Sequence, residues 1–387
     1  MILYPSVSPE FEPATENAAL KERIVALIAA TGPITFHQFM AMALYEPGLG
    51  YYCSRREKMG REGDYLTSPE VGPLFAALLG RQLHDMWAAL GRPPTFAGVE
   101  VGAGTGVMAR DVLRWAQRTA PDLFSALSYT IVEASPPLAQ RQRETIEAAG
   151  LGAKVRWRKR LPSAVRGCII GNELLDAMPV HRVAVQGDRL HEIFVTWDGD
   201  RFGEELRKPS TPEIDAYFQR LGLSPGEGCR AEVNLDALRW VREAAAALRQ
   251  GFLLVLDYGY EAQELFAPWR RGGTLMCFYR HNPSSDPYAR IGRQDLTAHI
   301  DFTSVRRAGE DAGLVTLGLV SQAEFLARLG IAEAMAPPEG GPVDIEEYYA
   351  RRRQAMTLID SAGLGRIKVL VQAKGVTNAR LRGLSAS

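Results

Sequence analysis

The chain has 387 residues, 46% of them hydrophobic and 23% charged, a balance that fits a folded globular protein and excludes a fibrous or disordered one. Lysine plus arginine total 45 and aspartate plus glutamate total 45, so no excess positive field exists to hold a polyanion and no nucleic-acid partner is expected. The most apolar runs, such as 252–256, fall far short of the ~20 residues that span a bilayer, and no membrane insertion is expected.

In chain order, leucine and isoleucine at 20, 24, 27 and 28 share one face and predict a helix over 18–30, ended by Thr31-Gly32-Pro33. Thr35 is placed to cap a second helix through Phe36, Phe39, Met40 and Leu44, closed by Pro47 and Gly48. Residues 45–69 are irregular, and a long loop in a compact protein is often a lid, here 63–70. Helical periodicity resumes over 71–90. Strands and helices then alternate: strand 95–101, helix 107–118, strand 129–132, helix 137–149, and strands 155–157 and 168–170. Such alternation implies a parallel, doubly wound α/β sheet, whose fifth strand is the apolar run 252–257. Between the fourth and fifth strands, alternating residues around Gly187-Asp188 and Asp198-Gly199 predict antiparallel hairpins, followed by helices over 212–221 and 235–250. Further strands are expected at 273–279, 315–320 and 367–373, and a frayed tail from 376.

Cys53, Cys168, Cys229 and Cys277 show no CxxC or histidine-paired spacing, which argues against a metal site or a disulfide framework and for a reducing compartment. Glu10, Glu12 and Glu16 precede the first cation, Lys21, the reverse of an Arg-rich transit peptide. A cytoplasmic location is expected, with a matrix protein already stripped of its presequence as the alternative.

The chemistry concentrates at three strand ends. Glu100-Val101-Gly102-Ala103-Gly104-Thr105-Gly106 joins a strand to a helix, and its glycines let the backbone turn tightly and a ligand approach closely. Glu133 ends the next strand, where an acid can accept both hydroxyls of a ribose. NAD and S-adenosylmethionine both carry such a ribose. The spacing is G-x-G-x-G, with Val107 where the dinucleotide fingerprint wants its third glycine, and acidic Glu100 suits a cationic cofactor better than a pyrophosphate. S-adenosyl-L-methionine is therefore preferred, with Glu100, Gly102, Ala103, Gly104, Thr105, Gly106 and Glu133 as binding residues. Third, the strand 168–170 runs into Asn172, Glu173 and Asp176, aimed at the reacting end of the cofactor; helix capping is the bland alternative for Asn172 and Asp176. His299 with Asp301 is a weaker catalytic pair, better read as outward-facing strand residues.

These segments, together with Tyr45-Glu46-Pro47-Gly48-Leu49-Gly50-Tyr51-Tyr52, Gly63-Asp64-Tyr65-Leu66-Thr67-Ser68-Pro69-Glu70, Asn172 through Pro179, Leu256-Asp257-Tyr258-Gly259 and 294–302, resemble the class I S-adenosylmethionine-dependent methyltransferases of the MidA type. The mitochondrial members of that family are arginine methyltransferases that act in assembling respiratory complex I. The resemblance implies a Rossmann-like methyltransferase sheet, an N-terminal helical cap, Thr67 and Ser68 as further cofactor residues, and methyl transfer to a protein arginine. Glu173 would grip the guanidinium, with Asn172 positioning and Asp176 as a second carboxylate. The expected organisation is a cap and lid at 1–94, a core from 95–180, 251–279 and 310–375, an inserted subdomain at 181–250, a substrate-side loop at 280–309, and the tail. The expected partner is a complex I subunit, in its bacterial form, with a homodimer as a further expectation. A cofactor-retaining assembly chaperone and an NAD-dependent dehydrogenase are the alternatives.

Overall fold

The computed structural model describes residues 16–54, 66–336, 345–377 and 379–384. Its central sheet has seven strands: β1 (Phe96–Val101), β2 (Leu127–Val132), β3 (Val155–Arg158), β4 (Val165–Asn172), β5 (Leu248–Asp257), β6 (Val315–Ser321) and β7 (Lys368–Lys374). They lie in the order β3-β2-β1-β4-β5-β7-β6. The first five are parallel, while β7 enters between β5 and β6 antiparallel to both. Residues Phe252 to Leu256 of β5 are fully buried, as an apolar run covered on both faces must be.

Register sets the functional edge. Val101 pairs with Val132 and with Gly171, and Asn172 pairs with Leu256, so the acidic residues that follow or end these strands emerge at one rim.

The helices needed here are α1 (Ala18–Thr31), α2 (Phe36–Tyr45), α3 (Pro73–Ala89), α4 (Val107–Thr119), α5 (Pro136–Glu147), α6 (Pro212–Leu221), α7 (Leu235–Ala247), α8 (Phe302–Asp311) and α9 (Ile345–Ile359). Thr35 caps α2 by accepting the Gln38 amide, and Asn17 caps α1 through the Leu20 amide. One face of the sheet packs on α3 and α4 through Phe75, Leu79, Leu83, Met108 and Leu113. The other packs on α6, α7 and α8 through Tyr217, Val241 and Val305. A third core joins α1 and α2 to Val180 and Val195.

Several expectations are corrected. The helix expected over 71–90 is two pieces, a short turn at Ser68–Val71 and then α3, separated at Gly72. α7 ends at Ala247, because Leu248 and Gln250 already pair with Val165 and Arg166 of β4: tertiary pairing overrides local periodicity. Met276–Tyr279 joins Asn282–Ser284 and Asp295–Thr297 in a separate small sheet. The antiparallel hairpins expected around Gly187-Asp188 and Asp198-Gly199 do form, from His181–Gln186, Arg189–Trp197 and Phe202–Arg207, and their sheet also takes Ile34–Thr35 and Arg230–Val233. The described part of the tail is docked and not frayed: Leu381 is buried, Arg382 pairs with Asp85 at 2.8 Å, and the Gly383 amide donates to Gln82 Oε1 at 3.1 Å.

Candidate active site

A cleft of about 1710 Å³ opens at the carboxyl ends of β1, β2 and β4, where open parallel sheets hold their ligands. It exceeds the roughly 300–1,000 Å³ usual for one small ligand, leaving room for a cofactor and a substrate side chain together.

The floor is the glycine turn. Gly102, Gly104 and Gly106 have φ of 68°, 53° and 83°, a left-handed repeat that side chains with a Cβ rarely adopt. A Cβ on Gly102 would also come 2.8 Å from Leu174 Cδ1, and one on Gly106 3.2 Å from Gln142 Cα. The Gly102 amide donates to the Val132 carbonyl at 3.0 Å, fastening the turn to the end of β2. Gly102, Ala103, Gly104 and Thr105 line the cleft, whereas Gly106 lies behind it at the start of α4.

Two acids stand on either side of the turn. Glu100 is buried and accepts the Tyr129 hydroxyl at 2.8 Å; burial, offset in part by that bond and reinforced by Glu133, pushes its carboxyl up to about 7. Glu133 accepts the Ser135 amide at 2.8 Å and Gln142 Nε2 at 2.9 Å, and burial raises its pKa. Gln142 also donates to the Gly104 carbonyl at 3.1 Å and accepts from Trp157 Nε1 at 3.2 Å, so one buried amide ties Glu133 to the glycine turn and β3. A carboxylate with about four lone-pair sites can still accept ribose hydroxyls after those two bonds. Glu133→Ala should therefore weaken S-adenosylhomocysteine binding about 10- to 100-fold in calorimetry; unchanged affinity would contradict this placement.

The third wall follows β4. Asn172 and Glu173 line the cleft, but Asp176 is buried behind them. Glu173 has φ 46°, an unusual conformation for a non-glycine residue and one that clusters at functional sites. Its Oε1 accepts the Ser68 amide at 2.9 Å, and its own amide donates to the Leu256 carbonyl at 2.8 Å. Burial, with Asp257 nearby, pushes the Glu173 carboxyl up to about 8, and burial with Asp257 and Glu173 raises Asp176 well above the usual range. Asn172 Oδ1 and Asp176 Oδ1 have no partner within the described residues. Buried orphan acceptors beside an acid suit a cation with several N–H donors.

Asp257 holds this wall together. Its Oδ2 accepts the amides of Leu174 (3.1 Å), Leu175 (2.8 Å) and Asp176 (3.4 Å), and its Oδ1 accepts that of Tyr258 (2.8 Å). Thr67 lines the cleft, while Ser68 is buried and serves Glu173 and Gln322 instead. Residues 55–65, including the first part of the expected lid, lie outside the described residues. His299 and Asp301 do not line the cleft and do not face outward either. Asp301 is buried and caps α8 through the Thr303 amide, with Tyr217 donating at 2.7 Å; burial holds the His299 ring down to about 4.

The raised carboxyls give stability a pH dependence. Glu100, Glu173 and Asp257, at about 7, 8 and 7 against ordinary values of 4.5, 4.5 and 3.8, stay protonated in the folded chain where the unfolded chain has already ionised. Their contribution is fully present below about pH 4 and is lost as pH climbs through 7 to 8. The melting temperature of the unliganded protein should fall from pH 5 to 8 in scanning fluorimetry, and a cationic ligand should recover more of it at pH 8 than at pH 6. A flat profile would show that these carboxyls are not desolvated.

A parallel sheet with a reversed seventh strand, a glycine turn flanked by acids, and a polar wall after β4 define a Rossmann-like methyltransferase. Residues 78–320 match the family model described as "Putative S-adenosyl-L-methionine-dependent methyltransferase", and the chain belongs to that family. The chain is 31% identical to the Drosophila melanogaster "Protein arginine methyltransferase NDUFAF7 homolog, mitochondrial", over 97% of this chain and 90% of that protein. It is 30% identical to the Mus musculus "Protein arginine methyltransferase NDUFAF7, mitochondrial", over 83% and 76%. Its structure is similar to a crystal structure of a Burkholderia thailandensis protein bound to S-adenosyl-homocysteine, with TM-score 0.88, 35% identity, and coverage of 100% of this chain and 98% of that one. The enzyme is an S-adenosylmethionine-dependent methyltransferase, which removes the dehydrogenase alternative. The cradle left by the missing Cβ atoms and the two clefted acids fit that cofactor.

The cytoplasmic location is overturned: the animal relatives are named as mitochondrial proteins, and the order of charges among the first residues does not carry the inference drawn from it. Among the described residues no helix is long and apolar enough to cross a membrane.

Proposed function

We propose that the enzyme methylates an arginine of a protein client, a subunit of respiratory complex I, during assembly of that complex. The observation that carries this reading is Glu173, a strained carboxylate on the cleft wall with Asp176 and Asp257 behind it and the orphan acceptor of Asn172 beside it. The names of the animal relatives support the same substrate class.

Bound S-adenosylmethionine supplies an activated methyl group. The chain's own work is then orientation and charge. Guanidinium is a weak nucleophile, protonated up to a pKa above about 12 and delocalised over three nitrogens. A carboxylate that accepts two of its N–H bonds localises charge away from the third nitrogen, and Glu173 is placed to do so with Asn172 Oδ1 as a further acceptor. The proton shed by the methylated nitrogen goes to Glu173, whose pKa near 8 lies close to an ordinary operating pH. Holding the nitrogen in line with the donor can itself lower the barrier by about 7 to 11 kcal/mol in well-ordered cases.

The test is capture of the client on the full chain, with peptide mass mapping in the presence and absence of cofactor. An arginine peptide heavier by one or two methyl groups supports the reading. Client held without any methyl gain, and maturing normally with Glu173→Gln, would establish the assembly chaperone instead.

A further inference from the structure

Of the acids that line the cleft, Glu133 stands on the ribose side, Glu100 is locked to Tyr129, and Glu173 stands at the reacting end. Glu70 does none of these things. It lies in the segment that follows Thr67 and lines the same cleft. Its Oε1 accepts the Thr105 hydroxyl at 2.5 Å, across 35 residues of sequence, while Thr105 anchors its other side by accepting the Thr145 hydroxyl on its carbonyl at 2.8 Å. Thr105 thus fixes one carboxylate oxygen of Glu70 over the turn, and no bond to the other is formed within the described residues.

The cofactor tail poses a specific demand at that position. S-adenosylmethionine ends in an α-carboxylate and an α-ammonium. The carboxylate is matched by backbone amides at the turn and the start of α4, which carry partial positive charge. An ammonium has three donors and no acceptor, and the turn offers it only carbonyls, of which that of Gly104 is taken by Gln142 and that of Thr105 by Thr145. A carboxylate at the same turn would add a charged acceptor to the carbonyls that remain.

We infer that Glu70 is a receptor for the cofactor's α-ammonium group, positioned by Thr105, so that the segment before α3 joins the glycine turn in selecting for an amino-acid tail on the nucleoside. The inference rests on the cofactor alone and is independent of the client. It also explains why a short helical turn stands between Thr67 and α3: it brings Glu70 to the turn, and the Glu70 amide donates to the Thr67 carbonyl at 3.0 Å to shape it.

The test is calorimetry of Glu70→Gln with two ligands, S-adenosylhomocysteine and its desamino analogue, which keeps the carboxylate and lacks only the amine. The variant should bind S-adenosylhomocysteine about 10- to 100-fold more weakly than wild type, while the desamino analogue binds both proteins equally. Thr105→Val should show the same ligand selectivity with a smaller loss. Equal losses for both ligands would mean that Glu70 only supports the turn, and no loss for either would mean that it does not reach the tail; both overturn the inference. Failure of wild type to bind S-adenosylhomocysteine at all would instead sink the cofactor site as a whole.

Discussion

Replacing Glu173 by glutamine should lower the rate of methyl transfer about 10²- to 10³-fold, the usual effect of removing one preorganised electrostatic group, while S-adenosylhomocysteine affinity stays within about threefold of wild type. Glutamine keeps the size of the side chain and can still accept the Ser68 amide, so the wall after β4 should hold its shape. It cannot carry the charge that the proposed grip on a guanidinium needs, and it cannot take a proton. The loss should therefore fall on the chemical step and on client binding, and not on the cofactor. Wild-type kcat/KM for the client at low cofactor should rise with pH and level near 8, following the Glu173 carboxyl, and that dependence should vanish in the variant. A variant that transfers methyl at a tenth of the wild-type rate or better would remove Glu173 from the mechanism.

Asp257→Ala should cost about 3 kcal/mol of stability or more, because several buried amides lose their acceptor at once and each unsatisfied donor costs about 1–3 kcal/mol. The side chain is fully buried at the end of β5, and it receives the amides of Leu174, Leu175 and Asp176 on one oxygen. Those amides belong to the segment that presents Asn172 and Glu173. The variant should thus lose transfer as well as stability, and added S-adenosylhomocysteine should raise its denaturation midpoint less than it raises that of wild type. Chemical denaturation with and without ligand reads both effects. A loss below 1 kcal/mol would show that water replaces the carboxylate and that the segment is held by other contacts.

The parts of this site that were legible in the sequence are those built from neighbouring residues. The glycine turn, Glu133 one strand further on, and Asn172-Glu173 each sit directly at a strand end, and alternating periodicity was enough to put those ends together. The parts that were not legible are made by residues distant in sequence. Gln142 reads as one more polar position on an amphipathic helix, yet it faces inward to join Gly104, Glu133 and Trp157. Glu70 meets Thr105 only after the chain has folded. Asp257 ends an apolar strand with no neighbour to mark it, and its importance comes from 174–176 approaching it across 81 to 83 residues of sequence. The family resemblance makes Asp176 a second carboxylate beside Glu173, but the turn buries it one layer back. The same distinction holds for the fold. Strand positions in the parallel half followed from hydrophobic runs, whereas the reversal of β7 and the departure of 276–279 to another sheet depend on pairings that no local pattern records. The docked tail was misread for a related reason: its small polar residues hide Leu381, which joins the core beside the sheet, and Arg382, which finds Asp85, only in three dimensions.

The most direct test is a crystal structure of the protein soaked with S-adenosylhomocysteine. The ribose hydroxyls should lie within hydrogen-bond reach of Glu133, the backbone of 102–105 should run beneath the tail, and the sulfur should face Asn172 and Glu173. A nucleoside bound away from Glu133, or a sulfur turned from Glu173 toward the opposite wall, would contradict the account.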